Sequence, residues 1–171
     1  RVERTTGADL VIPLAIEAAK ERLPTYLFGT QQDILSGSTS VLLKHAGTAL
    51  AIVGSSSPKR DFDPEGAEAD AAMDDISASG ARLCFVALGA PKQEIFAARA
   101  VARGVPAGFV CIGAGLDFIV GAQVRAPAIM QKFGFEWLWR LANDPVRLTR
   151  RYTRCAVVLA EIIVFHPLKQ Q

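Results

Sequence analysis

Four short, unbroken apolar runs recur along the chain, and each ends at a glycine: TYLFG to Gly29, ALAIVG to Gly54, RLCFVALG to Gly89, and AGFVCIGAG to Gly113 and Gly115. Hydrophobic residues fill successive positions instead of alternate ones, which is the pattern of strands covered on both faces. Helix-like segments stand before and between them. DLVIPLAIEAAKERL precedes the first run, DILSGSTSVLLKHAG and EGAEADAAMDDISASG follow the first and second, and PKQEIFAARAVARG leads to the fourth. This alternation predicts βαβ units. The fold expected is α/β, a Rossmann-like, mostly parallel sheet with helices on both faces. Ligands of such sheets gather beyond the carboxyl ends of the strands.

The glycines then fall where strands leave the sheet and turn, which makes Gly29, Gly89 and Gly113 candidate ligand-facing positions. GAPKQE, Gly89 to Glu94, is one such exit, with Pro91 near the start of the next helix. Free amides at that helix start favour a phosphate-like group, Lys92 adds charge and Gln93 adds hydrogen bonds. The same residues also fit a plain solvated first turn, and Glu94 fits a helix N-terminus. The Ser/Pro/Asp-rich SSSPKRDFDPEG loop reads as a long flexible connection of the kind that often serves as a lid.

Composition narrows this picture. The chain has 171 residues, half of them hydrophobic, enough for one domain of the usual roughly 100–200 residues. Residues 1–145 are expected to form the α/β domain and 146–171 a basic and apolar helical appendage. The net charge of +2 is too small to point to nucleic acid, but its distribution is uneven. Arg140, Arg147, Arg150, Arg151 and Arg154 crowd the C-terminal part, whereas Asp61 to Asp75 is acidic. Arg147, Arg150, Arg151 and Arg154 share one helical face, and the apolar CAVVLAEIIVF follows. That pairing suits an anionic membrane surface or a phosphate-bearing acceptor, and equally a terminal helix packed on the core. No apolar run reaches the roughly 20 residues that span a bilayer. The three cysteines, Cys84, Cys111 and Cys155, form no CxxC pair, suggest neither a disulfide framework nor a zinc site, and fit a reducing cytoplasm. The chain starts at Arg1 and not at methionine, and no signal-peptide pattern is read in it, so an excised domain or the tail of a longer protein is expected.

GAGLDFIVGAQVRAP, Gly113 to Pro127, is the other dense stretch. It lacks the third glycine of a dinucleotide fingerprint, since Phe118 stands there, and no acidic residue follows about 20 positions on. Asp117 stands where a ligand hydroxyl or base edge would be held, or where an Asx turn would form. Arg125 suits a bidentate phosphate clamp or a surface ion pair. Asp61–Phe62–Asp63 matches a DxD metal pattern, but a solvated loop is the better reading of it. EWLWRL reads as helix, with Glu136 and Arg140 spaced for an ion pair. His45 and His166 have no nearby partner in sequence, and the chain contains no GxSxG, P-loop or HExxH motif.

Taken in order, RTTGADL (Arg4 to Leu10), YLFG, GAPKQE, GAGLDFIVGAQVRAP and FEWLWRL…DPVRLTRRY (Phe135 to Tyr152) resemble the WecG/TagA/CpsF family of bacterial glycosyltransferases over nearly the whole chain. The resemblance implies an inverting transfer of a sugar (N-acetylmannosamine, its uronic acid or glucose) from a UDP-sugar to a polyprenyl-diphosphate-linked saccharide. The pathway would be one of cell-surface polysaccharide synthesis. It further implies a cytoplasmic protein peripheral to the inner face of the plasma membrane, with no metal or other cofactor and no nucleic-acid partner; a homo-oligomer is left open. By the same resemblance Arg4, Lys92, Gln93, Asp117 and Arg125 border the nucleotide-sugar site, and Arg147, Arg150, Arg151 and Arg154 engage the membrane and the acceptor diphosphate.

The pattern departs from the family's in two places. KRDFDPEG stands where the family has Gly-Tyr-Phe after the second strand. The family's general-base Asp, in a Pro-Asp-Gly motif, belongs upstream of Arg1, so no catalytic base is assigned here: either the chain is a fragment or another segment supplies the base. Asp9 is expected to cap the first helix instead. A Rossmann-type nucleotide-binding oxidoreductase and a non-catalytic membrane-docking module are the alternatives. The first would answer to NAD and not UDP in a thermal shift, and the second would bind liposomes without transferring sugar.

Overall fold

The computed structural model describes residues 5–123 together with Pro127, Leu138, Trp139 and Leu141. The chain divides into two compact units, Arg1–Val124 and Arg125–Gln171. In the second, Leu138, Trp139 and Leu141 are helical, as EWLWRL predicts. The expected boundary at 145/146 and the basic appendage lie outside the described residues.

The first unit alternates helix and strand: α1 (Gly7–Lys20), β1 (Thr25–Gly29), α2 (Gln32–Ala46), β2 (Ile52–Ser56), α3 (Ala67–Ala78), β3 (Leu83–Ala87), α4 (Lys92–Ala102), β4 (Gly108–Cys111) and α5 (Gly115–Ile119). The four strands are all parallel, in the order β2-β1-β3-β4. β1 pairs with β3 in register from Thr25↔Leu83 to Gly29↔Ala87.

Strand geometry sends successive side chains to opposite faces, and the core divides accordingly. Leu27 and Phe85 pack with Val11 and Ala15 of α1, Leu35 and Leu42 of α2 and Leu116 of α5. Tyr26, Phe28, Cys84 and Val86 meet Ala69, Met73 and Ile76 of α3 and Phe96 and Ala100 of α4. Both faces of β1 and β3 are thus covered, which is why their sequences are apolar without alternation. At the start of α1, the Asp9 carboxylate accepts the Thr6 backbone N–H at 2.9 Å, so Asp9 serves the helix terminus.

β2 departs from the expected pattern. Its residues alternate between half-buried and exposed, and Val53 is 39% exposed. It has one strand neighbour among the described residues. It also continues two residues past Gly54, to Ser56. Gly54 is therefore no exit glycine. It sits inside the strand beneath the ring of Tyr26, where a Cβ would collide with the ring carbons.

Candidate functional site

Because the four strands are parallel, their carboxyl ends share one rim. Gly29 lies level with Ala87, and Val86 is level with Cys111. From β1 the chain turns to α2 on one face, and from β3 to α4 on the other. The loops diverge there, leaving the crevice between β1 and β3 where open α/β sheets hold ligands.

The floor of that crevice is tight. Gly29 has φ +110°, and a Cβ on it would stand 2.5 Å from the carbonyl oxygen of Ala87. The next residue, Thr30, donates its N–H to that same carbonyl at 3.0 Å. Thr30 itself has φ +50°, a left-handed conformation that costs a β-branched residue roughly 1–3 kcal/mol. Its carbonyl accepts a hydrogen bond from Ser57 Oγ at 2.6 Å, and its Oγ1 donates to Asp117 Oδ2 at 3.3 Å. One strained residue thus ties together the exits of all four strands: its own, β2 through Ser57, β3 through Ala87, and β4 through Asp117 on α5.

Gln93 and Gly113 form a second tie. Gln93 is 8% exposed. Its Oε1 accepts the Gly113 N–H at 2.9 Å, and its Nε2 donates to Glu94 Oε1 at 2.8 Å. The side chain bolts the loop after β3 to the loop after β4. Replacing it with alanine removes this part-buried hydrogen bond to the Gly113 N–H, a loss of about 1 kcal/mol. Thermal unfolding should show Gln93→Ala melting several degrees lower, and an unchanged melting temperature would mean the bolt carries no load.

Lys92 points elsewhere. Its Nζ donates to the Phe62 carbonyl at 2.6 Å, and Arg99 Nη1 donates to the Pro64 carbonyl, also at 2.6 Å. Between these anchors the Phe62 ring, 3% exposed, packs 5.6 Å from Phe28 and 6.0 Å from Phe96, centroid to centroid. The SSSPKRDFDPEG loop, expected to be a loose lid, is pinned to the core through its one aromatic residue and to α4 through two cations. The centre of the DFD pattern is accordingly a core side chain, and Asp63 Oδ1 accepts the Glu65 N–H at 3.0 Å within its own turn. Lys92→Ala should free the loop, so trypsin should cut after Lys59 or Arg60 several times faster than in wild type. Equal cleavage rates would show that the Lys92 bond does not hold it.

Among the described residues, no group of three or more His, Cys, Asp and Glu is placed to hold a metal ion. Burial pushes the Cys84 and Cys111 thiols up, and the Glu94 charge adds to the rise at Cys111. Both stay protonated at neutral pH and are poor nucleophiles.

The structure therefore brings six of the anticipated positions, Gly29, Gly89, Lys92, Gln93, Gly113 and Asp117, to the exits of the strands on one rim. Gly89 faces open space: a Cβ there would meet nothing within 4 Å. Arg4, Arg125, Arg147, Arg150, Arg151 and Arg154 lie outside the described residues. Sequence reasoning missed Thr30, Ser57 and Phe62. The available signal for the first was its place directly after a strand-ending glycine.

A family model described as the glycosyl transferase WecG/TagA/CpsF family matches residues 1–170. The chain belongs to this family. Membership in the WecG/TagA/CpsF family implies glycosyl transfer in cell-surface polysaccharide synthesis, from a nucleotide-sugar donor to an acceptor. It favours a transferase over the oxidoreductase that the bare fold also admits. No helix among the described residues is long and apolar enough to cross a membrane.

Proposed function

We propose that this chain binds the diphosphate of a UDP-sugar at the crevice between β1 and β3 and transfers the sugar, with inversion, to a polyprenyl-diphosphate-linked saccharide. The observation that carries this reading is the convergence of the strand exits on Thr30, with Gly89 open to the rim and Gln93 and Asp117 beside it. Exposed backbone without a side chain admits a bulky anion, and a parallel sheet places helix starts around it.

In the transition state the departing UDP gains negative charge, which backbone N–H groups and cations stabilise. Arg125 is the proposed phosphate clamp. Arg4 and Lys92 remain donor-side candidates. Lys92 Nζ already donates to the Phe62 carbonyl, so its contribution through loop position is the simpler one. A carboxylate deprotonates the acceptor hydroxyl for in-line attack, and no residue of this chain is assigned to that role. Arg147, Arg150, Arg151 and Arg154 are proposed to meet the acceptor diphosphate at the inner face of the membrane. The transferred sugar is N-acetylmannosamine, its uronic acid or glucose. We take the reaction to be metal-independent, so EDTA should leave turnover unchanged.

Isothermal titration of the full chain with UDP tests the donor site. Arg125→Ala should weaken binding by about tenfold, the worth of one charge-assisted hydrogen bond, and Gln93→Ala should weaken it through the displaced Gly113 loop. A folded chain that binds no UDP would overturn the reading. A thermal shift with NAD in its place would restore the oxidoreductase, and liposome binding without sugar transfer would favour a docking module.

A further inference from the structure

We propose that Thr30 is a positioning residue for donor binding: its hydroxyl holds the Asp117 carboxylate at the crevice, where that carboxylate accepts a hydrogen bond from a hydroxyl group of the bound nucleotide sugar. This role rests on the donor site placed at this crevice under the proposed function.

A β-branched residue at φ +50° is a genuine outlier, and such residues persist where something over-determines them. Glycine would occupy the same conformation freely. Two of the three hydrogen bonds at Thr30 described above belong to its backbone, the N–H to Ala87 and the carbonyl to Ser57. Glycine would keep both. What the threonine side chain adds is its bond to Asp117 Oδ2, across 87 residues of sequence.

Asp117 is half-buried on α5, four residues after the Gly113 amide that Gln93 fixes. An ionised carboxylate accepts hydrogen bonds and donates none, with about four lone-pair sites on its two oxygens. The bond from Thr30 occupies one of those sites, on Oδ2. A carboxylate repels the diphosphate of a nucleotide sugar but suits the ribose or hexose hydroxyls at either end. The same crevice thus offers exposed backbone for the anion and a fixed acceptor for a hydroxyl.

Two variants separate the hydroxyl from the backbone. Thr30→Ser and Thr30→Gly both relieve the β-branched strain, and only serine keeps an Oγ. Binding of UDP and of UDP-glucose to the full chain should stay within about twofold of wild type in Thr30→Ser. In Thr30→Gly at least one of the two should weaken by about tenfold, the worth of one hydrogen bond to a charged group. The melting temperature of Thr30→Gly should be equal to or above that of wild type. Weakening seen already with UDP places the hydroxyl on the ribose, and weakening confined to UDP-glucose places it on the hexose. Wild-type affinity in Thr30→Gly, or equal losses in both variants, would overturn the proposal.

Crystal structures of the two variants without ligand decide the geometry separately. The Asp117 carboxylate should hold its place in Thr30→Ser and shift by more than about one ångström in Thr30→Gly, a distance that ends a hydrogen bond. An unmoved carboxylate in Thr30→Gly overturns the positioning role. If wild type binds neither probe, the donor reading fails, and these structures still decide whether Thr30 holds Asp117.

Discussion

Alanine at Gly29 is expected to destabilise the protein by on the order of 3 kcal/mol or more. Two costs add. The residue sits at φ +110°, where an L side chain is strained, and the new methyl would stand 2.5 Å from the Ala87 carbonyl oxygen and 2.6 Å from its carbon. Neither atom can retreat cheaply, because both belong to the backbone of β3, paired on one side with β1 and on the other with β4. Relief would require opening the β1–β3 pair at the floor of the crevice. Gly80→Ala is the matched control: it too has a positive φ, +72°, but a Cβ there meets nothing within 4 Å. Urea denaturation should show the Gly29 variant unfolding at a much lower midpoint than the Gly80 variant. Equal midpoints would mean the close approach of β1 and β3 is not as described.

Phe62→Ala carries the second large effect, a loss of about 3–5 kcal/mol as for other buried phenylalanines. The ring meets Phe28 edge-on at 71°, while Phe28 stacks on Phe96 at 4.4 Å between centroids. Edge-to-face and stacked pairs each add about 0.5–1.5 kcal/mol beyond burial. Removing Phe62 leaves a void against the β1 face that α3 and α4 cover. It also removes the apolar anchor of the loop, whose Lys92 and Arg99 bonds would then hold backbone with no packed ring behind it. The urea midpoint should fall by an amount consistent with that loss, and trypsin cleavage at Lys59 and Arg60 should accelerate beyond the Lys92→Ala rate. A variant as stable as wild type would place the ring outside the core.

The parts of the fold that were legible in the sequence are those governed by burial on both faces. TYLFG and RLCFVALG read as interior strands because β1 and β3 have neighbours on each edge and helices on each face. ALAIVG has equally apolar letters, but β2 has one strand neighbour among the described residues, and its real extent includes Ser55 and Ser56. Gly54 illustrates the same limit: a glycine making room for an aromatic ring on the adjacent strand looks, in sequence, like a glycine ending a strand. Phe62 was hidden for a different reason. It is a single apolar residue between two aspartates in a polar stretch, so periodicity gave it no weight, and only tertiary packing shows the loop to be anchored.

At the candidate site, strand-exit glycines and GAPKQE were legible because turn chemistry is local. Thr30 was not, since its conformation is imposed by three partners distant in sequence, at Ser57, Ala87 and Asp117. Gln93 was anticipated as a ligand contact, whereas its amide already joins the Gly113 loop to Glu94 before any ligand arrives.

The strand order also has a bearing on how the chain assembles during synthesis. Thr25 pairs with Ile52 on one side and with Leu83 on the other. A nascent chain that has emerged only through β2 can complete one ladder of β1, while the other edge of Tyr26, Leu27 and Phe28 stays an open template until β3 arrives. Unpaired apolar edges of that kind invite pairing with another chain. The interval before β3 emerges is thus one in which an apolar strand edge is exposed, and slower elongation through the α3 codons would lengthen it.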